Sequence, residues 1–175
     1  MVSLRKTLTT AHNALESAGI AHALIGGFAL AHFGVHRATQ DVDFIADGGR
    51  KAEIIAALTQ AGFQLTHDLA EALHFEGVGN LDILLARRPI SKSMLSQAKK
   101  MGAEEIKILG VEDIIGLKIQ AYKNNPKRLL QDQADIQALI EHNPSLDWTK
   151  VKHYADQFSE WPTIEKLKQL IAKKS

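Results

Sequence analysis

The hydrophobic periodicity of this chain changes character once, near Gly110, and that change limits the folds open to it. From Val111 onward every apolar pattern is helical, over Val111–Tyr122, Lys127–His142, Trp148–Phe158 and Thr163–Lys173. Before Gly110, short strand signals alternate with helices. Leu4, Leu8, Ala11, Leu15 and Ala18 fall at helical spacing between a Ser3 cap and a Gly19 stop. Ala23-Leu24-Ile25 reads as a short buried strand that ends at Gly26-Gly27, and Phe28–Phe33 as a short helix stopped by Gly34. Asp41–Ala46 is strand-like, and Arg50–Ala61 is a helix closed by Gly62. Phe63–Thr66, Leu73–Glu76 and Leu81–Leu85 read as strands, the last two joined by the turn Gly77–Asn80. Ser91–Met101 is weakly helical and Glu105–Leu109 a short strand. The fold class this predicts is α/β (α+β): a lobe over residues 1–110 with a mixed β-sheet flanked by helices, then an all-helical C-terminal part over 111–175.

Composition narrows the chemistry. A chain of 175 residues with 45% hydrophobic residues can build a core without staples. The absence of cysteine excludes a disulfide scaffold, Cys-ligated zinc or iron–sulfur centres and thiol catalysis. No stretch approaches the roughly 18 uncharged apolar residues of a membrane span, and the N-terminus lacks a signal-peptide apolar run, so no membrane partner and a cytoplasmic location are expected. Net charge is +1, which argues against nonspecific nucleic-acid binding. Its distribution is uneven: residues 1–86 carry 5 basic and 9 acidic side chains, residues 87–128 carry 10 and 4, and residues 129–175 carry 6 and 7. Such an asymmetry suits a metal-holding lobe beside a phosphate-facing surface, or an ordinary solvated exterior.

Asp41 and Asp43 stand two apart on a predicted strand, so both carboxylates emerge on one face. A solvated face would show the same pattern. Like charges held that close raise each other's pKa unless a cation joins them, and hard oxygen ligands favour Mg²⁺ or Mn²⁺. Asp82 lies inside Leu81-Asp-Ile-Leu-Leu85, where a charge among buried apolar neighbours is costly without a partner. If that strand lies beside Asp41 and Asp43, three carboxylates converge into the ligand set of a two-metal phosphoryl-transfer site. Gly26-Gly27, between strand and helix, is either a tight turn or a phosphate cradle in which missing side chains expose backbone N–H donors. Arg37 and Thr39 precede the acid pair at alternate positions and offer a cation and a hydroxyl to the same place, or form a surface loop.

These residues carry a resemblance. Leu24-Ile-Gly-Gly-Phe-Ala-Leu30, then Arg37-Ala-Thr-Gln-Asp-Val-Asp-Phe44, then the lone Asp82, resemble the nucleotidyltransferase superfamily related to DNA polymerase β. Within it the chain is most similar to the small bacterial abortive-infection toxin-type (AbiEii-like) enzymes and, more loosely, to aminoglycoside and lincosamide nucleotidyltransferases. Val111-Glu-Asp-Ile-Ile-Gly-Leu-Lys118, Ala121, Arg128 and Asp132-Gln-Ala-Asp135 extend the likeness, which spans roughly residues 20–140.

The resemblance implies an enzyme that moves an NMP from an NTP, ATP for instance, to an acceptor hydroxyl using two Mg²⁺ or Mn²⁺ ions. Asp41, Asp43 and Asp82 would be the catalytic metal ligands, with Asp82 also assisting acceptor deprotonation. Gly26 and Gly27 would hold the triphosphate, with Arg37 and Thr39 beside it, and Lys118 would neutralise the β/γ-phosphates. Arg128, Asp132 and Asp135 would orient Lys118 or the acceptor, unless Lys118 is a surface lysine and the acids a solvated helix face. The acceptor would be tRNA or another RNA in a toxin-like enzyme, with an antitoxin protein as partner, or else a small antibiotic-type hydroxyl compound. A non-catalytic nucleotide-binding member of a toxin–antitoxin pair is the remaining alternative. His32 and His36 have metal spacing but no third ligand, so zinc is not expected there. Trp148 and Trp161 read as packing anchors.

Overall fold

The computed structural model describes residues 3–102 and 105–173, and the chain divides into two compact units. The first comprises the residues up to Ala29 together with Arg37–Leu109; the second comprises Leu30–His36 and the residues from Gly110 onward.

In the first unit, α1 (Leu4–Ser17), β1 (His22–Ile25) and the start of α2 (Gly26–His32) are followed by β2 (Asp41–Asp47) and α3 (Lys51–Gln60). Next come β3 (Gln64–Asp68), β4 (Ala72–Glu76), β5 (Asn80–Ala86), α4 (Pro89–Ser96), β6 (Lys99–Met101) and β7 (Ile106–Ile108). The strands form one seven-stranded mixed sheet in the order β3-β4-β5-β2-β1-β7-β6. Its centre is the most apolar part: Val42, Phe44, Ile45 and Ala46 of β2 and Leu81 and Ile83 of β5 are completely buried. Strand β2 runs parallel to β5 and antiparallel to β1. Helix α1 buries Leu8, Ala11 and Leu15, one stripe at helical spacing, and packs on α3, β2 and β5.

One predicted element divides. Ser91–Met101, read as a weak helix, is helical only as far as Ser96, and Lys99–Met101 is a strand antiparallel to β7. All three β6 residues are exposed, so no apolar alternation marks the strand; it forms through backbone pairing with β7. Gly26 and Gly27, read as a connection, form the first turn of α2.

The second unit holds α5 (Val111–Asn124), α6 (Leu129–His142), α7 (Trp148–Asp156) and α8 (Trp161–Ala172). Helix α5 packs on α6 and α7, which both pack on α8. Ile115, Ile119, Ile136, Leu139, Val151 and Ile164 are fully buried, together with Leu30. Gly116 admits Tyr154: a Cβ there would stand 2.7 Å from a ring carbon. The Tyr154 hydroxyl donates to Asp113 Oδ1, which also pairs with Lys150 at 2.8 Å. Each tryptophan ring is covered by a lysine, Trp148 by Lys168 at 4.2 Å and Trp161 by Lys152 at 5.3 Å. No helix among the described residues is long and apolar enough to cross a membrane.

Candidate active site

The parallel pairing of β2 with β5 aligns Asp43 with Asp82, so the alternation that puts Asp41 and Asp43 on one face of the sheet puts Asp82 there too. Asp41, Asp43 and Asp82 each offer a carboxylate oxygen within 4.8 Å of the others. Three negative charges in so small a space repel, and Asp43 bears most of the conflict. Burial, then Asp41, then Asp82 push its carboxyl up from its ordinary 3.8 to about 6, against the lowering effect of a hydrogen bond from the Gly27 backbone N–H and of the Arg37 charge.

The glycines make this arrangement possible. A Cβ on Gly26 would sit 1.9 Å from Asp43 Oδ2, and Gly26 has φ +62°. A Cβ on Gly27 would meet Thr39 Cβ and Oγ1 at 2.7 Å. The space freed by the missing side chains is therefore taken by Asp43 and Thr39. Thr39 donates its hydroxyl to Asp41 Oδ1 at 2.9 Å and to the Asp41 carbonyl at 3.1 Å. Asp41, Asp43, Asp82, Gly26, Gly27, Arg37 and Thr39 all belong to the first unit.

One residue of this site escaped the sequence reading. His74 on β4 pairs with Asp82 in the β4–β5 register, and its Nδ1 lies 2.6 Å from Asp82 Oδ1. The signal was present in principle: His74 falls between the buried Leu73 and Phe75, hence on the opposite face of its strand. A cleft of about 380 Å³ opens beside the acids, lined by Asp41, Asp82, His74, Thr66, His67 and Asn80 among others.

The other predicted residues gather in the second unit. Lys118 is buried between Asp132 at 3.0 Å and Asp135 at 2.6 Å, and Arg128 Nε donates to Asp132 at 2.9 Å. The two aspartates lie three apart on α6, so one face of that helix presents both to the lysine. Gln131 adds a hydrogen bond to Asp135 at 3.0 Å.

No protein-family model matches the sequence, and no curated protein sequence matches it significantly. Solved structures do match. The solution structure of the antibiotic-resistance factor ANT(2'')-Ia superposes with a TM-score of 0.67 at 19% identity, over 95% of this chain and 97% of that one. The fold is that of a nucleotidyltransferase. ANT(2'')-Ia in complex with adenylyl-2''-tobramycin gives 0.66 at 18% identity, over 90% and 98%. The lincomycin-bound lincosamide antibiotic adenylyltransferase LnuA gives 0.55 at 14%, over 79% and 96%.

The donor set fits hard divalent cations. Three clustered carboxylates, one of them pushed up to about 6 by burial and by its two like-charged neighbours, offer only oxygen, the ligand type that Mg²⁺ and Mn²⁺ take.

Proposed function

We propose that this chain is a metal-dependent nucleotidyltransferase that moves an NMP from an NTP to a hydroxyl of a small polar acceptor. The observation that carries the reading is the convergence of Asp41, Asp43 and Asp82 beside a cleft that Asp41 and Asp82 line. The three carboxylates would hold two Mg²⁺ or Mn²⁺ ions, which supply charge stabilisation at the transferring phosphoryl group. The chain's own residues do the rest. The His74 hydrogen bond holds Asp82 Oδ1, leaving the other oxygen to take the acceptor's hydroxyl proton. The freed acceptor oxygen bonds to the α-phosphorus as the bond to the bridging oxygen breaks, and pyrophosphate departs. Thr39 orients Asp41. The Gly27 N–H and Arg37, already close enough to act on Asp43, are the donors assigned to the triphosphate. Lys118 is assigned to nucleotide phosphate on the resemblance alone, with Arg128, Asp132 and Asp135 as its support within the second unit.

Three features favour a small acceptor over the RNA that the toxin-type resemblance implies. The 380 Å³ cleft suits a drug-sized polar molecule. Half of the ten basic side chains of segment 87–128 are already paired with carboxylates: Arg88 with Glu71, Lys100 with Glu105, Lys118 with Asp132 and Asp135, Lys123 with Glu160 and Arg128 with Asp132. The fold also matches ANT(2'')-Ia over nearly the whole of both chains. An antitoxin partner belongs to the RNA reading and drops out with it.

The test is to incubate the protein and Mg²⁺ with each labelled NTP and, separately, tobramycin, lincomycin or total tRNA. Label on a small molecule, lost in Asp43→Asn, supports the proposal. Label on tRNA alone overturns the acceptor and retains the transfer. Absence of transfer to all three overturns the reading.

A further inference from the structure

A second group of ligating side chains lies in the same unit, apart from the carboxylates. His12 and Glu16 stand one turn apart on α1, and His22 opens β1. Gly19, at φ +63°, turns the chain back, and the Ile20 N–H donates to the Leu15 carbonyl, so the helix end and the strand start lie side by side. One ligand atom from each of the three side chains lies within 4.8 Å of the others.

The geometry of His22 is that of a metal-binding imidazole. Its Nδ1 is 2.7 Å from the Ile20 carbonyl, which can only accept, so Nδ1 carries the proton and Nε2 is bare. That pairing of a ring N–H with a backbone carbonyl is the usual outer contact of a histidine ligand, fixing both tautomer and ring plane. The ring is 3% exposed and is braced edge-on by Phe44 at 5.4 Å. Burial, the largest effect, lowers its proton affinity against the raising effect of the Ile20 hydrogen bond. The bare Nε2 faces His12 Nδ1 at 2.8 Å. Two nitrogens on a tetrahedral Zn²⁺ stand about 3.3 Å apart. A small swing of the half-exposed His12, with its Nδ1 proton passing to solvent or to Nε2, opens that gap. Glu16 supplies an oxygen and a negative charge. A cavity of about 260 Å³ adjoins all three residues and has room for a water as fourth ligand. Lys100, which also lines it, is paired with Glu105 at 2.9 Å.

We propose that His12, Glu16 and His22 form a second metal site, specific for Zn²⁺ or a similar borderline cation, that clips the end of α1 to the start of β1. Two imidazoles and a carboxylate distinguish it from the all-oxygen site, since nitrogen donors select Zn²⁺ over Mg²⁺. The proposal does not depend on the catalytic reading.

The test uses the full chain, stripped with chelator and titrated with Zn²⁺ against a competing chromophoric chelator in millimolar Mg²⁺. Melting is followed in parallel. Wild type should bind one Zn²⁺ and melt higher with it. The double variant Asp41→Asn with Asp43→Asn should bind the same Zn²⁺. His12→Gln and Glu16→Gln, on a partly exposed helix face, should keep the apo melting point and weaken Zn²⁺ at least about tenfold, the minimum seen even for outer contacts. Less than one Zn²⁺ in wild type overturns the proposal. So does Zn²⁺ that is lost with the aspartates and retained in His12→Gln.

Discussion

Replacing Asp43 by asparagine should abolish Mg²⁺ or Mn²⁺ binding at the carboxylate site and, in metal-free protein near neutral pH, make the first unit more stable. Asp43 is isosteric with asparagine, whose amide oxygen can still accept the Gly27 N–H. The change therefore removes little but a charge held against burial and against two neighbouring carboxylates. The sign follows from the direction of the shift. A folded-state carboxyl near 6 against an unfolded one near 3.8 means that the native state binds the proton more tightly. The native state then loses stability as pH rises between those two values and bears the whole cost above them. At about 1.4 kcal/mol for each tenfold change in proton affinity, the ceiling is about 3 kcal/mol. Salt and the partial exposure of Asp43 lower it. At roughly 4 °C per kcal/mol, the variant should melt up to about 10 °C above metal-free wild type near pH 7.5, with the gap closing toward pH 4. Calorimetry with chelator across that range is the assay. Tryptophan fluorescence is uninformative here, because Trp148 and Trp161 both lie in the second unit. Saturating Mn²⁺ should shrink the gap from the other side, by raising wild type alone. A variant no more stable than wild type near neutral pH, or a gap that persists unchanged in acid, would refute the account of Asp43 as an unneutralised buried charge.

Gly26→Ala should cost about 1–2 kcal/mol for a left-handed alanine and displace the Asp43 carboxylate, so the Mn²⁺-dependent rise in melting temperature should vanish; a retained rise would show that Asp43 has another position from which to ligate. His74→Ala should lower kcat roughly ten- to a hundredfold by freeing Asp82 while leaving the KM for NTP nearly unchanged, with partial recovery in His74→Gln; equal losses in both parameters would place His74 in substrate binding. Lys118→Ala should destabilise the helical unit by about 3–5 kcal/mol, because it removes the buried cation that Asp132 and Asp135 share; urea denaturation followed by tryptophan fluorescence measures this, and a loss below about 1 kcal/mol would mean that the remaining partners, Arg128 and Gln131 among them, suffice.

Much of the carboxylate site was legible because its signals are local. Asp41 and Asp43 share a face through the two-residue period of a strand, and Asp82 stands out as a single acid in an apolar run. Lys118 and the Asp132/Asp135 pair were visible through helical spacing in the same way. What stayed hidden was non-local. His74 meets Asp82 only through the β4–β5 register. Strand β6, a Lys-Lys-Met segment exposed throughout, owes its existence to the backbone of β7. Gly26-Gly27 stands out in the sequence as a pair between strand and helix, but the neighbours that fill the space of the missing side chains, Asp43 and Thr39, come from the following loop and strand.

The sequence by itself determined the alternation of strands and helices, the helical character after Gly110 and the residues that carry ionisable groups, since periodicity and side-chain chemistry are properties of neighbours along the chain. Tertiary structure alone decided which charges meet. Asp43 and Asp82 are far apart in sequence and opposite each other in the sheet, and the proton affinity of Asp43 depends on burial and on charges brought there by other strands. His12 and His22 face each other because a turn folds a helix end back on a strand. Coulomb energy and desolvation act through space, and only the packed fold sets the distances and the water content on which both depend.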